Sequence, residues 1–335
     1  MKPGNQMRMI AVSLSSDTTE HALRAFDTAS CDSDVIELRI DLMKEYDLRR
    51  LIPARPCPVI VTNRPTREGG RFVGSERDRV RPLREAVNLG AEYIDIEDYA
   101  FGLLGDRSSS SSLIVSYHDF SAMPEDLDGL RRRLEAQGAD AIKVAGMATR
   151  PEDALTALQL YESTSLPAIS IAMGEHGLAS RVLALRHANC LLTYCAPDTR
   201  EAVAPGQIPV GTMQNVYLAR SIGSETRAIG VASPVSVAKN LLADLNAGLR
   251  DQGLDVVAVP LRLARPDEIR LRTFAKGGFD GFWLMEGATV TKDAASSPVF
   301  ASFLKGSLES TAAATVDEAL SETVTHLSWP REFGQ

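Results

Sequence analysis

The chain has 335 residues, of which 44% are apolar and 24% charged, and a formal net charge of -8. At about 150 residues per domain this length predicts two domains, or one large α/β barrel with an appendage, and it excludes both a small scaffold and a largely disordered chain. The acidic balance argues against a nucleic-acid groove or a polybasic membrane patch, since both need clustered positive charge, so small molecules are the expected partners.

Short apolar, β-branched runs bounded by turn signals predict strands at 9–14 (MIAVSL), 34–40 (DVIELRI), 58–62 (PVIVT) and 93–97 (YIDIE). Four more follow at 113–117 (LIVSY), 140–145 (DAIKVA), 167–173 (PAISIAM) and 190–195 (CLLTYC). Helical patterns fill most gaps: 75–89 with a charged face, 124–137 opening on Pro124, 151–162 opening on Pro151, and a closing helix near 209–221. Eight strands alternating with helices predict an α/β protein with a (β/α)8 TIM barrel over residues 1–222. The serine run Ser108–Ser112 reads as a solvated loop.

After a linker at Gly223-Ser224-Glu225, a smaller C-terminal α/β unit is expected over 226–335. Its segments 228–233, 236–252, 255–261, 266–276 and 279–285 spell βαβαβ, and the tail at 297–328 reads as helical or irregular. No 18-residue apolar run and no signal-type core near Met1 occur, and Cys31, Cys57, Cys190 and Cys195 form no CxxC pair, which together predict a reduced, cytoplasmic protein off the membrane. Cys190 and Cys195 could hold a metal with His187, but no second histidine follows at ligand spacing; packing cysteines and no metal are expected.

In such a barrel the reacting groups stand at the carboxyl ends of the strands. Ser13, Glu37, Arg39, Arg64, Glu97, His118, Lys143 and Met173 fall inside or just past those ends in seven successive predicted strands. Lysine is scarce, seven residues in all, and Lys143 is alone between 45 and 238. Within ADAIKVA it points to one side of an apolar ribbon, where burial and neighbouring positive charge would favour the free amine that attack on a ketone requires. The same position also suits a lysine snorkelling to the rim or paired to an acid.

His118 ends the preceding strand, on the stave next to Lys143, where it could take a proton from the carbon beside an imine. Glu37 and Arg39 alternate with Leu38 and Ile40 and therefore share the interior face. Arg64, Glu68 and the paired glycines of TNRPTREGG follow the third strand, where Glu68 could orient a histidine and the glycines would permit a mobile turn; a solvated charged turn reads equally well. Arg181 and Gln207 follow the seventh and eighth strands and could hold an anionic head, although a helical arginine is ordinarily a solvated charge. His176, in the same loop as Arg181, reads as a surface residue.

Six motifs in order, ELRID (37–41), TNRPTREGG (62–70), SYHDF (116–120), AIKVA (141–145), MGEHGLASR (173–181) and APGQ (204–207), resemble type I 3-dehydroquinate dehydratase over roughly residues 8–222. The resemblance implies that Lys143 forms an imine with the C3 ketone of 3-dehydroquinate and that His118 removes the C2 proton and assists departure of the C1 hydroxyl, with no cofactor and no metal. It further implies that Glu68 orients His118, that Glu37, Arg39 and Arg64 contact substrate hydroxyls or the imine region, that Ser13 and Met173 line the substrate site, that Arg181 binds the carboxylate and that Gln207 closes the lid. Many family members carry serine just before APGQ, where this chain has Val203, a loss worth on the order of 1 kcal/mol if nothing replaces the hydrogen bond.

The second unit is similar, more faintly, to the amino-terminal substrate domain of shikimate dehydrogenase, as in fused dehydratase-dehydrogenase proteins. That family's serine pair appears here as Ala238 and Asn240, its lysine-bearing segment becomes MEGATV, and no glycine-rich dinucleotide loop follows residue 285. The resemblance therefore implies a degenerate half-domain retained for packing, ligand sensing or oligomerisation, a homodimer included, without dehydrogenase activity. Two other functions remain open on sequence: another Schiff-base lyase or aldolase, which would share Lys143, and a non-catalytic regulator that binds pathway metabolites.

Overall fold

The computed structural model describes residues 8–105, 111–198, 202–263, 271–285 and 300–303. Its first unit is a ring of parallel strands: β1 (Met9–Leu14), β2 (Val35–Arg39), β3 (Val59–Thr62), β4 (Tyr93–Glu97), β5 (Ser112–Asp119), β6 (Ala141–Met147), β7 (Ala168–Met173) and β8 (Leu192–Ala196). Hydrogen-bonded ladders join them in the order β7-β6-β5-β4-β3-β2-β1-β8. The last boundary, between β7 and β8, is closed by the single bridge Ala168–Cys190, where the Ala168 amide donates to the Asn189 carbonyl at 2.8 Å and the Leu191 amide to that of Ala168 at 2.9 Å.

Alternation along each strand sends every second side chain inward. Ala11, Val35, Ile60, Ile114, Ala141 and Leu192 fill the lower interior, all buried, and the polar residues two or four positions further along fill the upper interior. The outward faces pack under helices α1 (Thr19–Asp32), α2 (Leu48–Ala54), α3 (Glu76–Asn88), α4 (Leu127–Glu135), α5 (Asp153–Ser163), α6 (Leu178–Leu183) and α7 (Val210–Asn215). The β4–β5 crossover has only a short 3-10 segment, Asp98–Leu103, among the described residues.

Several helices begin later than the sequence predicts. Pro124 does not open α4, because Asp126 accepts the Gly129 amide at 2.8 Å and so sets the cap two residues on. Likewise α5 starts at Asp153, whose carboxylate accepts the Thr149 amide at 2.7 Å and holds the Pro151 turn outside the helix. Ser112 belongs to β5, and Ser111 is buried with its hydroxyl donating to the Ala91 carbonyl at 2.7 Å, so the end of the serine run is not a solvated loop; 108–110 lie outside the described residues.

A two-residue strand, β9 (Ile208–Pro209), adds to the free edge of β8 and anchors the segment that follows it. The second unit contains β10 (Arg227–Ser233), α8 (Lys239–Asp251), β11 (Val256–Arg262), α9 (Leu271–Lys276), β12 (Gly281–Leu284) and β13 (Phe300–Phe303), in a parallel sheet of order β11-β10-β12-β13. The predicted βαβαβ unit is present, and β13 corrects the reading of the tail as helical or irregular: 300–303 pairs with β12 in register Gly281–Phe300. The remainder of 297–328, and the MEGATV segment beyond Met285, lie outside the described residues. Arg186 of the barrel donates to the Gly278 carbonyl at 2.8 Å, tying the two units together.

Candidate active site

Ten side chains singled out from sequence, Ser13, Glu37, Arg39, Arg64, Glu68, His118, Lys143, Met173, Arg181 and Gln207, line one cavity of ≈ 50 Å³ at the carboxyl ends of the strands. They come from five strands, the loop after β3, helix α6 and the segment before β9, which are far apart in the chain. What brings them together is the register: Ser13 lies beside Glu37, Ser116 beside Lys143 and His118 beside Ala145, so polar groups on adjacent staves meet at one height.

Lys143 is 5% exposed, and its Nζ donates to Asp95 Oδ2 at 2.7 Å, lies 3.3 Å from the Tyr194 hydroxyl and 3.8 Å from Glu37 Oε1, and sits 4.3 Å from the centre of the Tyr194 ring. Its nearest charges are thus carboxylates, the pairing to an acid that the sequence left open beside positive surroundings. Asp95 is buried, which alone would raise its carboxyl, but Arg64 and Lys143 outweigh burial and hold it well below the usual carboxylate range. It therefore stays an anion beside the amine.

Arg64 in turn spans two acids, with Nη2 to Asp95 at 2.7 Å and Nη1 to Glu97 at 2.5 Å. Burial works against its charge, yet the Asp95 and Glu97 carboxylates raise it well above the ordinary arginine value. The other oxygen of Glu97 lies 2.5 Å from Arg79 Nη1, a charge contact without hydrogen-bond alignment, and Arg79 Nη2 lies 2.7 Å from Glu76. An alternating line of charges, Glu76, Arg79, Glu97, Arg64, Asp95 and Lys143, thus runs from helix α3 through the barrel wall to the amine.

His118 Nδ1 lies 3.0 Å from Glu68 Oε2, which also accepts the His118 amide at 3.1 Å. The tautomer with the proton on Nδ1 satisfies this contact and leaves Nε2 as the basic nitrogen. Burial, then the charges of Arg64 and Lys143, lower the imidazole well below its ordinary value, so it is neutral at physiological pH. Burial raises Glu68 to about 7, with Glu97 and Asp95 adding to the effect and Arg64 opposing it. Gly69 holds φ +74, and a Cβ there would lie 2.2 Å from the Phe120 ring, so the glycine serves close packing at the cavity mouth. The turn is hydrogen-bonded, Gly69 N to Thr66 O at 3.2 Å and Gly70 N to Pro65 O at 3.0 Å.

A consequence can be measured. Because Glu68 loses its proton near pH 7 while His118 stays neutral, any proton abstraction by His118 should fall on the acid side with a midpoint near 7, as the neutral carboxyl no longer offers the charge that stabilises the imidazolium formed. In a kcat/KM pH profile, Glu68→Gln should lower the plateau and remove that limb. Persistence of the same limb in the variant would assign it elsewhere.

Arg181 is 1% exposed, and its guanidinium makes one hydrogen bond, Nη2 to the Pro205 carbonyl at 3.0 Å, while Nε is buried without a partner. No acidic side chain pairs with it among the described residues. Burial lowers it to about 10. A buried cation without a counter-charge is costly, and an incoming carboxylate relieves that cost. Gln207 donates from Nε2 to the Cys195 carbonyl at 3.1 Å and to Ser13 Oγ at 3.4 Å, and its Oε1 accepts the Val203 amide at 2.9 Å. Val203 lines the cavity with its apolar side chain. Arg39 is held in a fork by Asp41 at 2.8 and 2.8 Å, and Glu37 accepts from Ser13 at 2.6 Å and Thr62 at 2.9 Å.

Sequence reading missed Tyr194, Asp95 and Arg79. Alternation in YIDIE and in LTYCA places Asp95 and Tyr194 on the inward face and could have found them. No such signal exists for Arg79, which belongs to a helix with a charged face yet is 0% exposed. His176 is not a plain surface residue, since its Nδ1 meets the Arg262 carbonyl of the second unit at 2.7 Å. Cys190 and Cys195 are core thiols pushed up to about 12 by burial, and His187 stacks on Tyr161 with ring centres 4.9 Å apart.

A parallel barrel with a buried amine beside a neutral imidazole defines a class equipped for covalent carbonyl chemistry. Residues 10–224 match the type I 3-dehydroquinase family, and the chain belongs to that family. It is 35% identical over 227 residues to a 3-dehydroquinate dehydratase of Desulfotalea psychrophila, covering 63% of this chain and 97% of that protein. It is also 34% identical over 220 residues to the chloroplastic bifunctional 3-dehydroquinate dehydratase/shikimate dehydrogenase of Arabidopsis thaliana, covering 62% of this chain but only 36% of the plant protein's length. A dehydroquinate dehydratase and shikimate dehydrogenase structure from S. pombe superimposes with a TM-score of 0.55 at 21% identity, covering 83% of this chain and 56% of that one. That likeness of fold extends past residue 224 into the second unit. No helix among the described residues is long and apolar enough to cross a membrane.

Proposed function

We propose that the barrel, residues 1–222, dehydrates 3-dehydroquinate to 3-dehydroshikimate and water through an imine on Lys143, and that residues 226–335 form a separate appended unit. The observation that carries this reading is the conjunction, in one cavity, of a buried amine, a neutral imidazole held by a carboxylate, and a buried arginine without an acidic partner among the described residues.

Nζ attacks the C3 carbonyl, and uptake of one proton from water by the adduct's hydroxyl, with loss of that hydroxyl as water, leaves a protonated imine whose positive charge faces the Asp95 carboxylate. His118 Nε2 takes the C2 proton, and the electron pair moves into the imine to give an enamine. The imidazolium, whose Nδ1–H donates to Glu68, returns the Nε2 proton to the C1 hydroxyl as the C–O bond breaks. Hydrolysis then frees the conjugated enone and the amine. Arg181 takes the substrate carboxylate, Gln207 and Ser13 close the same end of the cavity, Met173 packs against the ring, and Glu37, Arg39 and Arg64 set the polar face. The free thiols Cys57, Cys190 and Cys195 support a cytoplasmic, reducing setting. A homodimer is a further arrangement open to test by sedimentation.

The direct test combines a dehydroquinate assay, read as the ultraviolet absorbance of the enone, with borohydride trapping and peptide mapping. The expected result is turnover with substrate mass fixed on Lys143. Tight binding of dehydroquinate without enone or trapped mass would point to a metabolite-binding regulator, and trapping without enone to another Schiff-base lyase. Arg181→Ala should raise KM by roughly 30-fold, the equivalent of ~2 kcal/mol for a buried charge pair, with a smaller effect on kcat. An unchanged KM would remove Arg181 from carboxylate binding.

A further inference from the structure

A second cavity, ≈ 330 Å³, lies where the barrel meets the second unit. One wall is the segment Gly206–Pro209, and Gln207 of this segment also lines the catalytic cavity. The remaining walls are mostly apolar, from Leu178 of the barrel and Val237, Leu242 and Pro260 of the second unit. Two cations, Arg262 and Lys239, border it against one acid, Glu175. Arg262 reaches Glu175 only at 3.4 Å through Nε, and its Nη1 is buried with no hydrogen-bond partner among the described residues. Glu175 is further engaged by the Ser236 hydroxyl.

We propose that this cavity binds a small monocarboxylate carrying an apolar ring, with the carboxylate on Arg262 Nη1 and Lys239 and the ring against Val237, Leu242 and Pro260. A buried donor left unmet favours an acceptor, and a charged one favours an anion. The volume suits a single substituted ring, and the aliphatic walls favour a bare ring over a polyhydroxylated one.

Its walls give the site a route to catalysis. Gly206 has φ +69, and a Cβ there would lie 2.5 Å from the Gly174 carbonyl oxygen, so the segment is pressed onto the loop after β7. Gly174 donates to the Pro205 carbonyl at 3.1 Å, and Arg181 donates to the same oxygen at 3.0 Å. The loop that leads into α6, the helix that carries Arg181, holds Glu175 and His176, both bound to Arg262. An occupant bracing Arg262 therefore bears on the carboxylate-binding end of the catalytic cavity. This coupling rests on the proposed dehydratase reading, whereas the binding does not.

Calorimetry on the full chain separates the two. Benzoate should bind the wild type and Arg181→Gln alike, and at least about tenfold more weakly to Arg262→Gln; benzamide, which keeps the ring and loses the charge, should be weakened similarly in the wild type. Val237→Trp, which fills the cavity from its apolar wall and leaves Arg262 in place, should also abolish binding, and it keeps the test decisive should Arg262→Gln fail to fold. Absence of benzoate heat in the wild type at millimolar concentration overturns the proposal. So does binding lost in Arg181→Gln and retained in Arg262→Gln, which would put benzoate in the catalytic cavity.

Discussion

Lys143→Ala should show no borohydride-trapped mass with dehydroquinate and a turnover roughly 10⁴ to 10⁶-fold below wild type, the scale on which removal of a covalent nucleophile is felt. His118→Ala should behave differently: the amine survives, so mass is still trapped, while proton transfer slows by about 100 to 10,000-fold. The two defects differ in kind because the two groups act at different atoms. Lys143 forms the bond to carbon, and His118, on the adjacent stave and held through Nδ1 by Glu68, moves the proton. Intact-protein mass spectrometry after borohydride, read beside enone absorbance, distinguishes them in one experiment. Trapped mass in Lys143→Ala, or equal turnover in both variants and the wild type, would remove these assignments.

The second large effect is on stability. Glu97→Gln should lower stability by about 3 to 5 kcal/mol, because it leaves both Arg64 and Arg79 short of a carboxylate in a buried setting. For a barrel of this size that corresponds to a fall in Tm of roughly 6 to 20 °C. Arg79→Met alone should also destabilise, since it strands one oxygen of Glu97, and the double variant should recover part of the loss; a double-mutant cycle measures that coupling. A Glu97→Gln melting point within a degree of wild type would mean that the line of charges contributes nothing net. Activity should fall as well, because Arg64 is the group that positions Asp95 against Nζ.

How much of this was legible in the chain depends on the distance over which each cause acts. The strands were legible because alternation and β-branching are local: MIAVSL and YIDIE match β1 and β4 residue for residue. Pairing of neighbouring staves then follows from barrel closure, so Lys143 and His118 could be put side by side. Arg79 could not be found this way. Its burial depends on Glu97, 18 positions further on, and on Asn63, whose carbonyl it reaches at 2.9 Å, and a helix rich in charge reads as a solvated face. Asp95 as the partner of Lys143 was missed for a related reason, since the contact spans 48 positions and crosses the interior. His176 escaped because its partner lies in another unit of the chain.

The single bridge at Ala168 and Cys190 has a mechanical consequence. Seven boundaries of the ring are zipped by ladders and one is fastened at a point, as in a split collar. Changes in girth concentrate at such a split, and helix α6, which bears Arg181, follows β7 at its lip. The amine and its counter-anion, on β6 and β4, are set within the unbroken arc, so the clasp on the substrate's charged end can give slightly while the reacting end stays in register.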